Sequence, residues 1–224
     1  MFNYLLSYCK CIFWVTMIKY DDTKKYKYES LLFNVKQCGC IPIKFIQWIL
    51  PFLYILMDKK YYEYLDIFKD AYENCNFHSL EYTKEIYKKN FDSDMGSEYK
   101  EIIEINSGSI GQIYRVVDND DKIYAIKVIH PGVLMEMKVM EYIVKIIVSI
   151  MNIKIINIHE FFTIFKKQTD FINESNNLLY FYNNYIDYDD VVIPRLFKVS
   201  KDIIIMEYID DDGDISENDY KACM

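Results

Sequence analysis

Two short stretches of this chain hold residues whose types and spacing suit the handling of a polyphosphate. The first is Asn106-Ser107-Gly108-Ser109-Ile110-Gly111, a turn dominated by small residues between two strand-like runs. Small side chains let backbone N–H groups approach phosphate oxygens closely, and glycine allows the φ values such a turn needs. The second is Ala125-Ile126-Lys127, whose lysine falls sixteen residues after Gly111, on the next strand. An ammonium there can hold the α- and β-phosphates of a nucleotide. Either stretch alone is a weak signal. Joined on one hairpin across the polar turn Asp118-Asn119-Asp120-Asp121, they point to a nucleotide cradle, with an ordinary surface hairpin bearing a lysine as the alternative.

A lysine in such a cradle needs a carboxylate to hold it in place. The spacing predicts a helix over Lys166–Leu178 with Asp170 and Glu174 four residues apart, hence on one face. Either acid could meet Lys127; a solvated helix face is the alternative. Further on, Ile203-Ile204-Ile205-Met206-Glu207-Tyr208-Ile209 reads as a buried strand running into a hinge. Backbone groups near Glu207 and Ile209 would there bond the edge of an adenine.

The elements that must position these residues follow from periodicity. Helices are predicted over residues 2–19, 59–74, 79–90, about 134–150 and 158–182. The apolar segment 30–57 is read as helical pieces broken by Gly39, Pro42 and Pro51. The strands are those of the hairpin plus two β-rich runs, VVIPRLFKVS and DIIIMEYI, after a loop at 184–190. The fold class is therefore α+β: a small antiparallel sheet of about five strands flanked by helices, behind a helical N-terminal extension. Four stretches are expected: 1–29, an apolar helix and charged break; 30–98, a helical extension; 99–210, the sheet-bearing lobe; and 211–224, an acidic tail.

Bulk properties exclude several other functions. With 224 residues, 52% hydrophobic and 27% charged, the chain can bury a substantial core. A net charge of -8 argues against a general nucleic-acid binder. The cysteines Cys9, Cys11, Cys38, Cys40, Cys75 and Cys223 form two C-x-C pairs that lack the C-x2-C turn and have no nearby histidine, so no metal site is expected. Scattered, reduced thiols in an intracellular protein fit better. Asp210, Asp212, Gly213 and Asp219 echo a calcium loop faintly, but its first ligand position falls on Tyr208. The run Phe2–Ile18 carries Lys10 in its middle and is short for a membrane span, so a buried or interfacial helix is expected. It has neither the basic start nor the cleavage site of a secretory signal.

Five segments then occur in order between roughly Ser30 and Gly213: IPIKFIQW, SGSIGQIYRV, YAIKVIHPGV, QTDFINESNNL, and VVIPRLF with IIIMEYIDDDG. Together they resemble the motifs of the UbiB/aarF-domain atypical kinases, the coenzyme-Q-biosynthesis kinase-like proteins. The resemblance places Lys44 and Gln47, from a KxGQ-like motif, on an N-terminal helix laid over a nucleotide site. It makes the second segment the counterpart of a glycine-rich loop, adding Gln112 to Ser107, Gly108, Ser109 and Gly111. It assigns Lys127 to the nucleotide, Glu174 to the lysine and Asp170 to the family's acid, and it puts Glu207 and Ile209 at the hinge. ATP or ADP is the implied cofactor. Any catalytic role for Lys44, Gln47 or Asp170 rests on the resemblance alone.

Three departures qualify it. Ile46 stands where the motif has glycine, and Gln168 replaces the first acid of an ExD pair, removing a charge. The family's H-x-D-x-x-x-x-N-like loop and D-F-G-like aspartate follow the hinge, where this sequence has only Asp210 to Met224 and no histidine. The expectation is a small lobe with its N-terminal extension and no large lobe, able to bind nucleotide, holding no Mg²⁺ of its own and transferring no phosphoryl group. Its partners would be a separately encoded large lobe, another protein covering the exposed underside of the lobe, or a membrane surface.

Overall fold

The computed structural model describes residues 2–72, 77–152, 157–188 and 190–210. Cys75, Cys223 and the acidic tail lie outside them. Four helices and short 3-10 turns come first: α1 (Phe2–Tyr20), α2 (Lys25–Lys36), α3 (Cys40–Leu56) and α4 (Tyr62–Ile67). After α5 (Leu80–Phe91) and the single turn α6 (Met95–Glu98) the chain enters the sheet as β1 (Tyr99–Ser107), β2 (Gly111–Asp118) and β3 (Ile123–Ile129). Helices α7 (Val133–Met151), α8 (Ile158–Lys167) and α9 (Phe171–Tyr185) intervene before β4 (Leu196–Val199) and β5 (Ile203–Glu207) close it. The sheet is antiparallel throughout, in the order β1-β2-β3-β5-β4.

The polar turn makes the β2–β3 hairpin. Asp118 Oδ1 accepts the N–H groups of Asp120 and Lys122, and Asp121 takes a left-handed φ of 66°, which an aspartate tolerates. Alternation along the strands then sorts side chains to two faces. Tyr114, Val116, Ile126 and Val128 join Tyr87 and Met95 in a core beneath α5. The opposite face, with Ile129 and Ile204, packs with Val133, Met137, Phe165 and Phe171 from α7, α8 and α9. This second core reaches Tyr8, Val35 and Ile41, which ties the N-terminal helices to the lobe.

Three boundaries differ from expectation. The segment 30–57 breaks at Gly39, whose φ is 104°, and not at its prolines. Pro42 sits in the first turn of α3, where no helical N–H partner is needed, and Pro51 forfeits one bond without ending the helix. A Cβ on Gly39 would lie 2.5 Å from the carboxylate of Glu136, so this break is fixed sterically as well. Helix α2 runs across the boundary drawn at residues 29 and 30, because the charged break ends at Lys24. The helix predicted over 158–182 is two helices, split at Gln168–Asp170 by a capping residue described below.

Among the described residues, no helix is long and apolar enough to cross a membrane. An apolar cavity of about 270 Å³ lies between α1, α2, α3 and α7, walled in part by Ile46, Leu50 and Val144. The thiols of Cys11 and Cys38 meet beside it at 3.8 Å.

Candidate functional site

Lys127 stands in the middle of β3, opposite Ile113 on β2 and Ile204 on β5. Its ammonium donates to both carboxylate oxygens of Glu174, at 2.6 and 2.8 Å, and lies 5.1 Å from the centre of the Phe171 ring. The pair is open to solvent: the side chains are 21% and 44% exposed. The capping residue decides which acid reaches the lysine. Asp170 caps α9, its Oδ1 accepting the N–H groups of Ile172 and Asn173, which places Glu174 one turn in, facing the sheet. The two acids therefore do not share a helical face: Asp170 builds the helix that aims Glu174.

The small-residue turn arches over this pair. Gly108 N–H donates to the Gly111 carbonyl at 3.0 Å, closing the turn between β1 and β2. Gly111 cannot be replaced cheaply, since a Cβ there would stand 2.6 Å from the carbonyl oxygen of Val128. Helix α3 lies against the turn's outer side. Ser109 Oγ donates to Gln47 Oε1 at 3.0 Å, and Gln47 Nε2 donates to the Ala71 carbonyl at 2.9 Å. Ile46 packs into two hydrophobic clusters and walls the apolar cavity.

The result is an open cavity of about 410 Å³. Its wall carries three lysines, Lys44, Lys127 and Lys167, against one carboxylate, Glu174, together with Gln168 and the amides of Asn106, Asn173 and Asn177. In a chain of net charge -8 this is a local excess of positive charge. Gln168 at the wall, where an acid would oppose an anion, strengthens that excess.

The expected residues divide. Lys44, Gly108, Ser109, Gly111, Lys127 and Glu174 line the cavity, and Gln47 supports it through Ser109. Gln112 does not belong with them. Strand alternation turns it to the opposite face, where it is fully buried, accepts the backbone N–H of His78 and donates to Tyr114. Ser107 is likewise buried, its Oγ 3.4 Å from His130 Nε2. Glu207 and Ile209 are not part of the cavity wall either. Glu207 lies opposite Tyr124, three rungs along the sheet from Lys127, and exchanges bonds with the backbone of Arg195. Lys167, Asn173 and Asn177 were not anticipated. The signal for the two asparagines was their position on α9, one residue before Glu174 and three after it, on neighbouring faces of one helix.

Among the described residues, no group of three histidine, cysteine, aspartate or glutamate side chains could hold a metal ion.

A five-stranded antiparallel sheet with a strand lysine held by a helix carboxylate under a glycine-containing turn is the architecture of a kinase-like small lobe. Residues 71–220 match the model of the ABC1 atypical kinase-like domain, and the chain belongs to that family. A protein of Dictyostelium discoideum described as probable serine/threonine-protein kinase abkC is 26% identical over 205 residues, covering 83% of this chain. The chain spans 28% of that relative's length. Among solved structures, Rv3197 from Mycobacterium tuberculosis, determined as a complex with erythromycin, superposes with a TM-score of 0.50. It is 16% identical, over 73% of this chain and 44% of that one, a likeness of fold.

Proposed function

We propose that the cavity between the turn Asn106–Gly111, Lys127 and α9 binds the phosphates of ATP or ADP. The observation that carries this reading is the set of three lysines and one glutamate around it, with the glutamate already holding the central lysine. Such a pair keeps an ammonium extended and oriented, so that an incoming phosphate meets a fixed charge. Lys44, reaching the wall from α3, adds a cation from the N-terminal extension. The residues present suit an anion better than a metal. Glu174 is engaged by Lys127, so a Mg²⁺ accompanying the nucleotide would take its carboxylates from elsewhere.

Phosphoryl transfer needs a residue to position the acceptor and carboxylates to hold the metal, and residues 211–224 offer no histidine for a catalytic loop. We read the 224 residues as a nucleotide-holding unit in which transfer awaits groups from outside them. Thermal denaturation with and without ATP or ADP, each with and without Mg²⁺, tests this: nucleotide raises the melting temperature of the wild type and leaves Lys127→Ala unmoved. Phosphoryl transfer by the chain alone, dependent on Lys127, would contradict the second half of the reading.

One observation favours a second role, as a docking module. Leu179, Phe181, Tyr185 and Ile186 are exposed along the end of α9, and Val191 and Val192 follow in the same stretch. An apolar run of this kind commonly marks a protein contact. A large lobe supplied from outside these 224 residues is the occupant that suits a kinase-like small lobe. A monodisperse monomer that captures no such polypeptide would count against it.

A further inference from the structure

Behind the turn, His130 is 3% exposed and bonds to it twice. Its backbone N–H donates to the Ile110 carbonyl at 2.9 Å, and its ring Nε2 lies 2.8 Å from the Gly108 carbonyl oxygen. A carbonyl only accepts, so Nε2 carries the proton and Nδ1 of the neutral ring is an acceptor. That Nδ1 is 2.7 Å from Nδ1 of His78, which must therefore be protonated there and accept at Nε2. Thr83 Oγ1 stands 2.9 Å from His78 Nε2 and donates to it. Thr83 in turn accepts from the Tyr114 hydroxyl at 2.7 Å, and that hydroxyl accepts from Gln112 Nε2 at 2.7 Å. With an amide donor at one end and a carbonyl acceptor at the other, each proton along the chain has one allowed place.

We propose that His130 is a positioning residue for the phosphate turn, held by Gln112, Tyr114, Thr83 and His78 in the one tautomer that can bond the Gly108 carbonyl. In a trans peptide the C=O and the following N–H point in opposite directions. Drawing the Gly108 carbonyl back onto His130 therefore turns the Ser109 N–H away from the histidine, and Gly108 and Ser109 both line the cavity that His130 does not. A ring flipped to the other tautomer would set a lone pair against that carbonyl and release the turn. The consequence for binding rests on the nucleotide reading above; the tautomers do not.

The chain has three histidines, so a histidine-selective ¹⁵N-labelled sample of the full chain gives a simple spectrum. At neutral pH, His130 is expected as the Nε2–H tautomer and His78 as the Nδ1–H tautomer, beside an averaged signal from the exposed His159. Reversed tautomers, or a protonated ring at either position, would overturn the proposal whether or not nucleotide binds, and this arm needs no variant that folds. In the second arm, Mg-ATP is titrated calorimetrically into wild type, His130→Phe and His130→Gln. The phenylalanine removes the donor, and the glutamine keeps an N–H close to the Nε2 position. Affinity should fall about tenfold in the first and stay within about threefold in the second. Equal affinity in all three would overturn the positioning role. Absence of binding by the wild type would sink the nucleotide reading and the turn's role together, leaving the tautomers as a structural fact.

Discussion

The two faces of the β2–β3 hairpin are built from alternate residues of the same strands, yet they treat polar groups in opposite ways. On one face Lys127 and Glu174 are charged and partly exposed at the wall of an open cavity. On the other, Gln112, Tyr114, Thr83 and His130 are buried and neutral, each with a hydrogen-bond partner. Water solvates the first set and a ligand can take its place; the second set has no capacity to spare. The front face is thus suited to binding and the rear face to holding the turn that overlies it.

Substitutions should separate the two faces, beginning with the residue that serves both. Gly111→Ala drives a Cβ against the Val128 carbonyl and the Phe171 ring. It should cost about 2–3 kcal/mol, lowering the melting temperature by about 5–10 °C, as calorimetry would register. Gln112→Leu fills the same space on the rear face but orphans the partly buried backbone N–H of His78. A loss of about 1–3 kcal/mol in chemical denaturation is expected, with a smaller loss of nucleotide affinity than in His130→Phe, because the Gly108 carbonyl still selects the His130 tautomer. A large affinity loss without a stability loss would reverse the assignment of faces.

The rear face also sets a pH dependence. Burial, and then the neighbouring His130, depress His78 to about 4, and burial lowers His130 as well. An unfolded histidine titrates near 6.5, so between about 6.5 and about 4 the unfolded chain binds more protons than the folded one. Stability should therefore fall as pH drops through that window. Tyr82 and Tyr114 pack on His78, and Lys36, Cys40 and Glu136 share its cavity. Burial raises Glu136, which contributes in the opposite sense, so the informative quantity is the difference from His78→Asn. That variant should show a shallower slope between pH 4 and 6.5, and an unchanged slope would remove His78 from the account. The smallest effect belongs to the front face. Lys127→Ala breaks a solvated pair and should change stability by no more than about 1 kcal/mol.

How far the sequence disclosed this division depends on distance along the chain. The hairpin, its polar turn and Lys127 lie within about thirty residues and follow from alternation and turn chemistry. Spacing alone leaves Asp170 and Glu174 equivalent on a continuous helix over 166–178, and only the motif resemblance selects Glu174. Thr169-Asp170 held the signal that breaks that helix, since aspartate is a preferred N-cap. The placement of Gln112 was also within reach: one residue past Gly111, it must face away from the side that Gly111 and Ile113 share. Other features had no local signature. His78 meets His130 across 52 residues; Lys44, by contrast, was marked by its motif, and its helix is held at the cavity by Ile41 and Ile46 in the core that also contains Ile110 and Phe171. The hinge strand was legible as a strand, but its offset from Lys127 is a matter of register, which appears only once β3 and β5 are paired.

Isothermal titration of Mg-ATP and of ADP into the full chain, beside Lys127→Ala, tests the central claim most directly. Saturable binding by the wild type, weakened at least about tenfold in a variant that melts within a few degrees of it, is the expected result. No saturable binding by the wild type, or the same affinity in both proteins, would contradict it.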